Sequence, residues 1–363
     1  MTLTKYLLVV LLLVASTMQA QPKARTIVSI KGEDFYINNK ITYKGIRWKG
    51  HRVEGLLHNS RMVQGIFDDL NPDTRGRFVY PDTESWDPDR NTKEFVQAMG
   101  EWYQHGLLAV TVNMQGGSPT GYGNKNWVNS AFDETGNLRA DYMLRLEGIL
   151  NRADELGMVI ILGYFYQGQD QHLKDEAAII NGVNKATDWI KEKGYRNVMV
   201  EINNECNVPY DHEILRPKRV DKLIRIVKDN RKNGYRFLVS TSYSGNFVPL
   251  QNVVELADFL LIHGNGVTDP DRITQLVQET KKVSGYKTKP IVFNEDDHYD
   301  FEKPVNNFVN AVEAHASWGL FDYRRANESF TEGFQSVPVD WGIHSSRKKG
   351  FFNLLTEITG GGL

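Results

Sequence analysis

Seven times between residues 91 and 324 the chain repeats one unit, an amphipathic helix followed by a short apolar strand. The strands read LLAVTVN, MVIILGYFY, NVMVEINNE, RFLVSTSY, DFLLIHGNG, KPIVFNED and SWGLFDYR. They are rich in Val, Ile and Leu with little alternation, as strands covered on both faces are. Gly106, Gly157, Gly194 and Gly234 close four of the helices and suit left-handed caps. Strict helix–strand alternation demands a parallel sheet. An earlier alternating segment, Ile41 to Trp48, supplies a first strand, and SSRKKGFFNLLTE supplies a last helix. Eight strand–helix pairs predict a (β/α)8 TIM barrel opened by a short β-hairpin, with turns at Lys31–Asp34 and Asn38–Lys40. A doubly wound open sheet is the rival, but KGIRWKGHRVEG lacks the Gly spacing of a phosphate turn. Without a linker, residues 21–363 are expected to form one domain.

The first twenty residues carry Lys5, an apolar run from Tyr6 to Ala15, and then small and polar residues. That is the pattern of a signal peptide, with cleavage expected after Ala20, rather than of a bilayer span. Export to the periplasm or the extracellular space follows, with no membrane attachment after cleavage. Cys206 is the single cysteine, so there is no intramolecular disulfide and no thiolate zinc site. A net charge of −2 without a Lys/Arg tract argues against nucleic acid. A monomer without cofactor is expected.

Catalytic groups of such barrels lie at the C-terminal ends of the strands. There the sequence places Arg47 and Trp48, Asn113 and Gln115, Tyr164, Tyr166 and Gln167, and Asn203, Asn204 and Glu205. Ser242 and Tyr243, His263 and Asn265, Asn294 and Glu295, and Trp318 or Asp322 and Tyr323 complete the ring. Carboxylates and amides bind hydroxyls, and aromatic faces pack on sugar rings. Glycoside cleavage needs two carboxyl groups flanking one bond. Glu205 and Glu295 end the fourth and seventh strands and form that pair.

A fourth-strand Asn-Glu, a seventh-strand Glu about ninety residues on, and the opening FYINNKITYKGIRW resemble the large clan of retaining (β/α)8 glycoside hydrolases that includes the family 5 cellulases and mannanases. The resemblance spans nearly the whole mature chain. It implies that Glu205 is the general acid/base, Glu295 the nucleophile and Asn204 the amide that contacts a sugar 2-hydroxyl. His263 matches an active-site histidine position. Asn113, Tyr166, Tyr243, Trp318 and Trp48 complete the expected substrate-binding set, with a poly- or oligosaccharide as partner. Glu205 is expected to be protonated by burial and by the like charge of Glu295, with hydrogen bonds keeping Glu295 ionised.

The chain departs from the clan where Cys206 replaces a frequent Pro, and where Asn113 and Tyr164 or Tyr166 stand in place of family 5's Arg and His. The segment HRVEGLLHNSRMVQGIFDDLNP is expected to shape subsites through Arg61, Asp68 and Asp69. Trp127 joins Trp48 and Trp318 as a candidate platform. Two other classes remain open: a carbohydrate-binding barrel without catalysis, against which two intact carboxylates argue, and a metal-dependent hydrolase. The second usually shows His-x-His after the first strand, and Asp297-His298 lacks a spaced third ligand.

Overall fold

The computed structural model describes residues 24–122 and 126–361, so the expected signal peptide lies outside the described residues. Eight parallel strands form the barrel: β1 (Asn59–Arg61), β2 (Ala109–Asn113), β3 (Val159–Phe165), β4 (Val198–Asn203), β5 (Leu238–Ser240 and Ser242–Tyr243), β6 (Leu260–His263), β7 (Ile291–Glu295) and β8 (Gly319–Phe321). Pairing runs from β8 through β1 to β5, and from β5 through β6 to β7. Parallel bridges Val292–Ser317 and Asp296–Leu320 join β7 to β8 and close the ring.

The helices are α1 (Pro88–Gln104), α2 (Ala140–Leu156), α3 (Glu176–Glu192), α4 (Asp221–Asp229), α5 (Gln251–Leu256), α6 (Pro270–Lys282), α7 (Asn307–Glu313) and α8 (Ser346–Thr359). Asp87 and Asp269 cap α1 and α6, each followed by a Pro that needs no hydrogen bond in the first turn. Gly106, Gly157 and Gly194 take positive φ where the chain leaves α1, α2 and α3. Gly234 also takes positive φ, but in a turn past Asn233, because α4 ends five residues earlier at Asp229. Among the described residues no helix is long and apolar enough to cross a membrane.

The first strand corrects the sequence reading. Ile41 to Trp48 is not in the barrel. Lys40–Ile41 ends a three-stranded antiparallel sheet with Val28–Lys31 and Asp34–Ile37, and Arg47–Trp48 pairs with His51–Arg52. This N-terminal region lies under the N-terminal ends of the strands. Val28 N donates to Arg196 O just before β4, and the Tyr43 hydroxyl donates to Gly106 O just before β2. The true first strand, Asn-Ser-Arg, was hidden in the stretch expected to be loop. Its three residues are polar and fully buried, so no apolar pattern marks it.

Candidate active site

Glu205 follows β4 and adopts φ +49°, a left-handed conformation that costs a side-chain-bearing residue about 1–2 kcal/mol. The surroundings hold it there. Its backbone N–H donates to Ser242 Oγ at 2.8 Å, and Cys206 N–H donates to Ser242 O at 2.9 Å. Strain of this kind persists where neighbours over-determine the chain, as they do at functional sites. The turn aims the Glu205 carboxylate inward, where Oε1 lies 2.9 Å from His263 Nδ1. One oxygen of Glu205, one of Glu295 and one ring nitrogen of His263 all lie within 4.8 Å of one another.

Glu295 closes β7 and is buried. Arg61 Nε lies 2.7 Å from its Oε2, and Asn265 Nδ2 donates to its Oε1 at 2.6 Å. Arg61 is itself buried and serves two further acceptors, Glu201 Oε2 at 3.2 Å and Asn204 Oδ1 at 2.7 Å. One guanidinium thus joins β1 to β4, β7 and the turn after β4. Asn204 also donates to Gln167 Oε1 at 3.1 Å, and its carbonyl accepts from the Tyr210 hydroxyl.

Burial pushes the Glu295 carboxyl above its ordinary range, and Glu205 adds to the rise. The charges of His263 and Arg61 and the Asn265 amide oppose it. The ionised form expected of Glu295 therefore rests on those three partners. His263 is pulled down by its own burial but raised on balance by the charges of Glu295 and Glu205. Burial also pushes the Cys206 thiol up to about 12, which leaves it a packed neighbour rather than a nucleophile.

The structure brings together Glu205, Glu295, Asn204 and His263, with Tyr166 beside them. The Tyr166 hydroxyl lies 3.0 Å from Ser118 Oγ, and burial and the nearby Glu295 push its pKa up, which holds it in the neutral form. Asn113 lies within the barrel: a Cβ on Gly163 would stand 2.2 Å from Asn113 Oδ1 and 3.3 Å from Glu201 Oε2. The amide of Asn113 is buried and has no hydrogen-bond partner among the described residues.

Three expected binding residues lie elsewhere. Trp48 is packed beneath the barrel, with Nε1 donating to Glu357 of α8 at 2.9 Å. Trp318 is fully buried, stacked on Phe308 at 4.8 Å and bonded through Nε1 to Asp296 Oδ2. Tyr243 is buried, and its hydroxyl accepts from Leu250 N–H before α5. Trp127 is also buried. Asp68 pairs with Arg145, and Asp69 accepts from Asn71, Thr74 and Val128, so both brace the loop rather than the site.

The sequence reading did not single out Glu201 or Tyr122, and it placed Asn265 on the rim without giving it a specific role. Glu201 had a readable signal, because a charge inside an otherwise apolar strand requires a buried counter-charge. Tyr122 and Asn265 sit in loops whose meeting no local pattern announces. Glu205, His263 and Glu295 present a possible cation triad. Arg61, however, already supplies positive charge to Glu295 and would repel a divalent ion. In the second acidic cluster, Asp296 is engaged by Trp318, Asn307 and His298.

No family model matches the sequence, and no curated protein matches it. Solved structures do match. The endo-1,4-beta-mannanase of Rhizomucor miehei superposes with a TM-score of 0.57 at 11% identity, over 92% of this chain and 99% of that one. The beta-mannanase of the blue mussel Mytilus edulis gives 0.55 at 11% identity, over 94% and 100%. A glycoside hydrolase family 5 enzyme from Prevotella bryantii gives 0.53 at 11% identity, over 83% and 95%. The chain has the (β/α)8 barrel fold of these glycoside hydrolases.

Proposed function

We propose that this chain is an exported glycoside hydrolase that cleaves an O-glycosidic bond with retention of configuration. The observation that carries the reading is the approach of Glu205 and Glu295, oxygen to oxygen, within 4.8 Å at the ends of β4 and β7. Retaining enzymes hold their two carboxyl groups about 5–5.5 Å apart, whereas inverting ones leave roughly 6.5–9.5 Å for a water. The barrel likeness to family 5 hydrolases and mannanases supports the same class of chemistry.

Glu205 protonates the leaving oxygen while Glu295 attacks the anomeric carbon. Arg61 and Asn265 occupy both Glu295 oxygens, fix the carboxylate's plane and favour its ionised form before attack. His263 beside Glu205 steadies that carboxyl as it gives up its proton. Water activated by the Glu205 carboxylate then releases the sugar. Asn204, oriented by Arg61 and Gln167, presents its amide to a ring hydroxyl. The test is reducing-sugar release from a panel of β- and α-linked glycans, with Glu205→Gln and Glu295→Gln alongside. Loss in both variants, with proton NMR showing the retained anomer first, is expected. Release that survives Glu295→Gln would remove the nucleophile from that residue. Activity that disappears with EDTA would favour the metal-dependent reading instead.

A further inference from the structure

In the closed ring, β2 and β6 stand opposite one another. The chain leaving β2 nevertheless reaches the residues that follow β6. Gly117 packs against Val63 after β1, and Pro119 O accepts from Val337 N at 2.7 Å in the long β8–α8 connection. Gly121, at φ +90°, lies so close to Tyr323 that a Cβ there would meet the ring at 3.2 Å. Tyr122 completes the crossing. Its hydroxyl accepts from Asn265 Nδ2 at 2.8 Å and donates to Asp297 Oδ2 at 3.4 Å. The same Asn265 nitrogen reaches Glu295 Oε1, and the charges of Glu295 and Glu205 both bear on the phenol. The Tyr122 ring rests on Phe321 and Tyr323 at 5.6 and 5.1 Å, yet the residue is 54% exposed. Aromatic surface is therefore left exposed one hydrogen-bonded residue, Asn265, away from Glu295.

This strap follows the rim past β1 and β8 to the residues after β6 and β7, and so covers that side of the barrel mouth. Strands β3, β4 and β5, with Glu205, lie on the side it leaves open. A general acid must stand on the leaving-group side of the scissile bond. The aglycone therefore leaves toward the open side, and the glycone points toward the side closed by the strap and by the β8–α8 connection packed against it. We propose that Tyr122 is the end wall and ring platform of a blind glycone pocket, so that the enzyme acts from the non-reducing ends of chains. The proposal rests on the glycoside hydrolase reading and adds the mode of attack.

The test uses the full mature chain and hexasaccharides labelled at the reducing end, prepared from mannan, glucan and xylan. Early products separate the modes. End attack gives first one labelled product, shorter by a constant step, while polymer viscosity persists. A spread of labelled dimers to pentamers with an early fall in viscosity would overturn the proposal and leave the hydrolase reading intact. Cleavage of no glycan by the wild type would overturn both. Tyr122→Ala is expected to broaden the product spread and raise KM roughly tenfold, with an unchanged melting temperature confirming that the fold survives. Tyr122→Phe keeps the ring and should keep the product size. A Tyr122→Ala product pattern identical to wild type would show that the wall lies elsewhere.

Discussion

Arg61 lies against Glu295 with its Nε 2.7 Å from Oε2, and both side chains are almost wholly shielded from water. In such surroundings an ion pair is a liability once one partner is gone, because the other charge remains in low dielectric. Arg61→Met strands Glu201 as well as Glu295 and should cost about 3–5 kcal/mol of stability, read by urea unfolding. Arg61→Lys retains charge but not the planar fork that serves three acceptors. It should fold with a smaller loss and still lower kcat by about 10²-fold, near the worth of one transition-state donor.

His263 makes stability depend on pH with a definite sign. Its folded value is raised above the ordinary 6.5 despite its burial, because Glu295 and Glu205 outweigh Arg61. The folded state therefore holds a proton that the unfolded state has released. That contribution is complete below about pH 6.5 and is lost as pH rises through the folded value. Glu295, also raised, adds a decline that begins lower, above its ordinary 4.5. Melting temperatures measured from pH 6 upward should fall in the wild type and fall less in His263→Gln. Parallel curves would mean that His263 does not carry the proton.

The positive φ of Glu205 separates backbone strain from side-chain chemistry. Glu205→Gly and Glu205→Ala remove the same carboxylate and the same contact with His263. Glycine alone occupies the left-handed region without penalty. The Gly variant should be more stable than the Ala variant by about 1 kcal/mol, with both inactive. Differential scanning calorimetry of the pair decides it; equal stability would mean that the turn relaxes.

Cys206 offers a check on the interior beside Glu205. It is buried, and its thiol is pushed to about 12. Iodoacetamide at pH 8 should leave it unmodified in the native protein and alkylate it fully in urea, as mass spectrometry would read. Rapid labelling of the folded chain would contradict the packing around Ser242 and Tyr243.

The barrel was legible because seven of its strands advertise themselves as apolar runs between capped helices. Glu205, Glu295, Asn204 and His263 were legible because polar residues ending such runs fall on one rim. The first strand was not, since Asn59-Ser60-Arg61 has no apolar face to display, while Ile41 to Trp48 alternates convincingly and ends up beneath the barrel. The aromatic platforms failed for a related reason. Trp48, Trp127 and Trp318 are large enough to be wanted by the core, and composition cannot tell a packed indole from an open one. Tyr122 escaped notice because its position depends on a loop crossing the mouth, a contact between residues 143 positions apart.

The three-way grip of Arg61 also bears on how the molecule is made. Its acceptors come from β4, from the turn after β4 and from β7, and its own strand β1 is the one that β8 must meet to complete the ring. The geometry of the candidate site therefore cannot exist on a half-built cylinder. Closure and competence arrive together, so regain of activity on refolding should keep pace with the last strand docking and never precede it.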